Sequence, residues 1–125
     1  MIKPQYQELA LKLSAKRMMA YGYNALRQIP KSEKHVIGAD VRAAMHSLMW
    51  HIIECEKAYY KSTTLRNLDV SLENLRVLVG VLKDLQFIDL KPYEIWSELL
   101  HELGNQVGGW ILWYKDQESK RPKSK

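Results

Sequence analysis

The sequence predicts an all-α fold, an antiparallel up-down-up-down four-helix bundle, on three observations. Apolar residues recur at three- and four-residue steps through four long segments, short punctuation separates those segments, and no stretch alternates apolar with polar residues as a half-buried strand would. With 125 residues, 46% of them hydrophobic, the chain is one ordinary domain able to fill a core.

Pro4 opens the first segment, and Ile29-Pro30-Lys31-Ser32 closes it. Proline disfavours helix at the residue before it, and Ser32 is suited to cap the next helix. Within the segment, Leu11, Ala15, Met18, Gly22, Ala25 and Ile29 share one helical face. The second segment carries Ile37, Val41, Ala44, Leu48, Ile52, Cys55 and Tyr59, until Lys61-Ser62-Thr63-Thr64 interrupts it. The third places Leu65, Leu68, Leu72, Leu75, Val79 and Leu82 in strict three-four alternation. Asp89-Leu90-Lys91-Pro92 separates it from the fourth, with Pro92 suited to a first helical position. The fourth gives Trp96, Leu100, Leu103, Val107, Trp110 and Tyr114. Such seams pack at small crossing angles, and short connections force neighbours antiparallel. Residues 1–114 form the expected bundle, and the polar, lysine-rich residues 115–125 read as a basic disordered tail.

The helices carry more apolar surface than one seam needs. The first adds Tyr6, Leu9, Leu13 and Ala20; the third adds Val70, Val77, Leu78, Val81 and Leu85; the fourth adds Ile95, Leu99, Ile111 and Leu112. In a four-helix monomer one side of each helix is wet, so this surplus points to a homo-oligomer held by protomer contacts. Tyr6, Leu9 and Leu13 are the candidate oligomer-interface residues.

Composition excludes several classes. Cys55 is the only cysteine, so no intrachain disulfide forms and nothing points to an oxidising compartment. The N-terminus lacks the uninterrupted apolar core of a signal peptide, and no run of about 18 uncharged apolar residues exists to span a membrane. A cytoplasmic location, without a membrane partner, is the expectation.

Lysine and arginine number 19 against 14 acids, for a net charge of +5. The excess is uneven: residues 1–31 carry +5 and residues 115–125 carry +3, whereas residues 91–114 carry −2. Lys12, Lys16 and Arg27 share one face of the first helix, with Lys31 and Lys34 beyond its end. Such a stripe contacts phosphates without reading sequence, so these five are the candidate nucleic-acid-binding residues. A solvated helix face is the plainer explanation of the same charges.

No catalytic or cofactor motif emerges, and the expectation is a non-enzymatic binding protein with no cofactor. Glu98-Leu99-Leu100-His101 is a Glu-x-x-His pair, but a di-iron bundle needs two such pairs and this chain has one, off the apolar seam. His51 and Cys55, four residues apart, supply two metal ligands where zinc needs three or four. No phosphate-binding glycine loop or nucleophile elbow occurs. Gly104, Gly108 and Gly109 lie inside the fourth helix, where each costs roughly 1 kcal/mol against alanine, so close approach by a neighbour is expected there. Trp50, Trp96, Trp110 and Trp113 read as core or interface anchors. Arg66, Asp69, Glu73 and Arg76 allow ordinary pairs along the third helix; Arg76 is also a candidate for pairing across a protomer interface.

Three stretches together resemble a known family: Ile29-Pro30-Lys31-Ser32-Glu33-Lys34; Leu65-Arg66-Asn67-Leu68-Asp69-Val70-Ser71-Leu72-Glu73-Asn74-Leu75-Arg76; and Tyr93-Glu94-Ile95-Trp96-Ser97-Glu98-Leu99-Leu100 running to Gly108-Gly109-Trp110-Ile111. This resembles the four-helix-bundle accessory variability proteins of diversity-generating retroelements, relatives of the ribosomal-RNA intervening-sequence proteins. The resemblance runs from about residue 6 to Tyr114, and the closing Gly-Gly-Trp-Ile is its most specific part. Ile29 departs from the phenylalanine usual there.

The resemblance implies a barrel-like homo-oligomer, with a pentamer favoured. It also implies binding to RNA, and to DNA, and to the reverse transcriptase of the element in support of mutagenic retrohoming. An intervening-sequence-type scaffold for RNA or protein is the alternative.

Overall fold

The computed structural model describes residues 4–121, leaving aside the side chains of Pro4 and Gln5. Four α-helices run α1 Pro4–Ala25, α2 Ile37–Lys57, α3 Ser62–Asp84 and α4 Leu90–Ser119, with no strand among the described residues. Each of α1 and α3 neighbours both α2 and α4. The partners across each junction fix the directions. Lys12 meets Glu56 and Tyr23 meets His46, Ser14 meets Glu102, and the Gly22 backbone meets Trp96. Sequence number rises on one helix as it falls on the next, which is the antiparallel bundle expected from the short connections.

The predicted seams of α1 and α3 are buried in full. In α2 the seam holds from Val41 to Cys55 with Ile37 half-buried, and in α4 it holds from Trp96 to Trp110 with Tyr114 half-buried. Leu26, Met45 and Ile88 join the same core from positions that the periodic reading passed over. No helix is long and apolar enough to cross a membrane among the described residues.

Four boundaries differ from the expectation. Pro92 is the third residue of α4 rather than its first, because the helix starts at Leu90, and a proline is tolerated there since the first-turn N–H groups have no partner within the helix. Tyr59 lies outside α2 and is 87% exposed, because the helix ends at Lys57. Lys61 folds back there, its Nζ donating to the carbonyls of Cys55 (2.6 Å), Glu56 (3.4 Å) and Ala58 (2.9 Å), which satisfies the last turn. Ser32 caps nothing: it sits in the 3-10 turn Lys31–Glu33, and α2 starts later, at Ile37, with no side-chain cap. At the other end, α4 continues through residues 115–119, part of the segment expected to be a disordered tail. Tyr114 donates to Glu118 at 2.9 Å and Lys120 pairs with Asp116 at 2.9 Å, which carries the helical register past the core. Residues 122–125 of the expected tail lie outside the described residues.

The α3–α4 turn holds the one non-glycine residue with positive φ among the described residues. Gln86 has φ 61, in the left-handed region, while Phe87 N donates to Leu82 O and Gln86 N to Lys83 O, both at 2.9 Å. That pair of bonds is a Schellman stop, a position glycine fills without penalty. Gln86→Gly should therefore raise the unfolding free energy by about 0.5–1 kcal/mol, read from urea denaturation.

Candidate nucleic-acid interface

Of the five predicted cations, Lys12 and Lys16 lie on α1 and Arg27, Lys31 and Lys34 follow its end, and their places in the bundle divide them into groups. Lys12 lies in the α1–α2 junction, its Nζ 2.8 Å from Glu56 Oε2, with the carboxylate side chain only 19% exposed. Its charge is largely answered within the chain. Lys16 is exposed on the outer face of α1 with no ion pair among the described residues. Beside it stands Arg17, passed over by the sequence reading, whose Nη1 lies 3.7 Å from Glu102 Oε1 on α4. The same Glu102 oxygen accepts from Ser14 Oγ at 3.4 Å.

Past the end of α1 the charges gather again. Arg27 lies in the 3-10 turn Leu26–Gln28 and Lys31 in the next one, both exposed; Lys34 is half-buried. Arg42 on α2 donates to the Lys34 carbonyl at 2.9 Å. Arg27, Lys34 and Arg42, with Tyr23 and Leu26, line a hollow of about 290 Å³. None of Arg27, Lys31, Lys34 and Arg42 has an acidic partner among the described residues. From Lys12 to Arg27 the stripe spans about 22 Å along the helix axis. The five predicted residues thus do not converge: Lys12 is paired with Glu56, Lys16 has no ion pair among the described residues, and of the others Arg27 and Lys34 share one hollow. Arg42 was missed because it lies on a different helix from the stripe; only the turn brings it alongside.

The remaining candidates resolve differently. Tyr6, Leu9 and Leu13 are exposed, at 57%, 53% and 49%, and form an apolar strip on α1. Arg76 turns into its own chain: its Nη2 donates to Leu100 O at 3.3 Å and its Nη1 lies 3.7 Å from Glu73. A Cβ at Gly104 would collide with this guanidinium, so Gly104 is the residue that lets Arg76 lie on α4. The expected close approach holds there and fails at Gly108 and Gly109, where nothing in the described chain comes within 4 Å of an added Cβ. Arg76→Ala should cost about 1–2 kcal/mol of stability by urea denaturation, because it frees a carbonyl and removes the clasp between α3 and α4.

No group of three potential metal ligands assembles among the described residues. His51 Nδ1 lies 3.3 Å from Glu54, and the buried Cys55 thiol accepts from Thr64 Oγ1 at 3.5 Å. Burial pushes the Cys55 thiol up from its ordinary value, against smaller opposing effects of the Thr64 hydrogen bond and the Lys61 charge. Its stabilising contribution is therefore complete below the unfolded thiol's range and is lost as pH rises through the folded value. Alkylation at neutral pH should be slow in the native protein and fast in urea.

A family model described as bAvd-like matches residues 9–113, a span that reaches into all four helices. No curated protein matches the chain.

Proposed function

The chain belongs to the bAvd-like family of bacterial accessory variability determinants, and from that membership we propose that it serves a diversity-generating retroelement by binding rather than by catalysis. The match over residues 9–113 carries the reading, and it favours a retroelement role over that of an intervening-sequence scaffold. In this reading the protein is cytoplasmic, and it holds template RNA or its DNA copy near the element's reverse transcriptase. The exposed Lys16, Arg17, Arg27 and Lys31, joined by the half-buried Lys34 and Arg42, contact phosphates. Lys12 contributes through the net field of the face rather than as a free cation.

A homo-oligomer, with a pentamer favoured, multiplies this weak stripe. Each protomer adds its cations to one surface, and affinity grows by effective concentration. The exposed strip of Tyr6, Leu9 and Leu13 is the contact assigned to protomer packing. Leu9→Asp/Leu13→Asp should then give a monomer by light scattering with its helical circular dichroism intact; an unchanged mass would remove this strip from the interface. The functional test is co-expression with the element's reverse transcriptase. The account expects the two to co-purify after nuclease treatment, and a failure to co-purify would reject the polymerase partner.

A further inference from the structure

The α2–α3 connection, residues 58–61, holds two adjacent aromatic rings out in solvent: Tyr59 is 87% exposed and Tyr60 61%. They are not there by looseness. Lys61 Nζ is fastened to three carbonyls of the preceding turn, Lys61 N donates to Tyr114 Oη at 3.2 Å, and Thr64 Oγ1 donates to Lys61 O at 3.2 Å. Tyr114 is itself bonded to Glu118. Through Lys61 the connection is thus tied to α2, α3 and α4. The rings meet edge to face, with centroids 4.8 Å apart and an interplanar angle of 82°, which leaves ring faces open.

One cation lies beside the rings. The Arg121 guanidinium lies 5.7 Å from the Tyr60 ring, and Lys120 precedes it. Their acidic partners, Glu118 at 3.5 Å and Asp116 at 2.9 Å, are also exposed, so these pairs are weak and open to exchange with a phosphate. A hollow of about 270 Å³ lies between Tyr59, Tyr60, Tyr114, Gln117, Glu118 and Arg121. Exposed aromatic faces beside an exchangeable cation are the elements of a single-strand platform: unpaired bases stack, and the backbone follows the charge. A duplex offers such rings no free base face.

We infer that Tyr59 and Tyr60 form a stacking platform for unpaired nucleic acid, distinct from the α1 stripe. This rests on the proposed nucleic-acid binding and adds to it a preference for single strands. The test compares two probes by fluorescence anisotropy: an unstructured oligouridylate of roughly 16 nucleotides and an RNA duplex of equal length. Tyr59→Ala/Tyr60→Ala should weaken oligouridylate binding about tenfold or more while changing duplex binding less than about twofold. Tyr59→Phe/Tyr60→Phe should keep wild-type affinity for both, because stacking needs the ring and not the hydroxyl. Both positions lie in an exposed loop, and circular dichroism checks the fold. Unchanged oligouridylate affinity in the alanine variant, or equal loss on both probes, overturns the platform while leaving the proposed function standing. Reverse-transcriptase capture lost with oligouridylate affinity intact also overturns it, and makes the tyrosines a protein contact. A wild-type protein that binds neither probe rejects the nucleic-acid reading itself, and the platform with it.

Discussion

Gly22→Val should lower the unfolding free energy by about 3 kcal/mol, among the largest losses available to a single exchange in this chain. Gly22 lies on the buried face of α1 where α2 and α4 close on it. A Cβ there would stand 2.6 Å from Met45 Sδ and 2.7 Å from the Trp96 ring. The methionine side chain is flexible and can yield. The indole is rigid, wholly buried, and among the largest side chains in the core, so it cannot move without reopening the packing around it. The contact also predicts a change of sign. Gly22→Ala alone should destabilise, because the clash exceeds the helix-propensity gain of about 1 kcal/mol. In a Trp96→Phe background the two indole atoms nearest Gly22 are gone, and the same Gly22→Ala exchange should stabilise. Trp96 Nε1 finds no hydrogen-bond partner among the described residues, so Trp96→Phe also removes an unsatisfied buried donor. Urea denaturation of the four proteins gives the coupling, expected at about 2 kcal/mol; additivity would mean the two side chains do not meet as the structure has them.

The largest functional effect is expected from reversing the unpaired charges of α1 and its turn. Lys16→Glu/Arg27→Glu/Lys31→Glu changes three exposed residues that have no ion pair among the described residues, so the fold should persist. If each cation neutralises one phosphate, the slope of log affinity against log salt should fall by about 2–3, and affinity at low salt should drop at least 100-fold. Lys12→Glu is a poorer probe, because it sets two carboxylates against each other at the Glu56 contact and mixes stability with binding. Retained affinity and slope in the triple variant would identify the stripe as a solvated face.

The bundle was legible because burial in parallel helices writes itself as three- and four-residue spacing. The α3 seam, Leu65 to Leu82, is buried at every predicted position for this reason. Tyr59 shows the limit: it continues the spacing of α2, but the helix is stopped by the Lys61 amine and by Tyr114, a hydrogen-bond partner 53 residues away. Periodicity carries no record of such a partner. The charge stripe was half legible on the same grounds. The positions of Lys12 and Lys16 on one face follow from helical geometry, yet the pairing of Lys12 with Glu56 and of Arg17 with Glu102 depends on which helices become neighbours. Gly104 announced a close approach without saying whose, and the answer, Arg76, stands on a different helix. Gly108 and Gly109 find no neighbour within 4 Å in the described chain, so the same signal was uninformative there.

The central claim is that this bundle binds nucleic acid through exposed charge. Equilibrium binding of the wild-type protein to a structured RNA, measured across a salt series on protein of known solution mass, tests it most directly. The account predicts sub-micromolar affinity at low salt, falling steeply as salt rises, with a slope larger than the few free cations of one protomer can supply. No binding at low salt, or binding indifferent to salt, would contradict it and leave a protein-binding scaffold in its place.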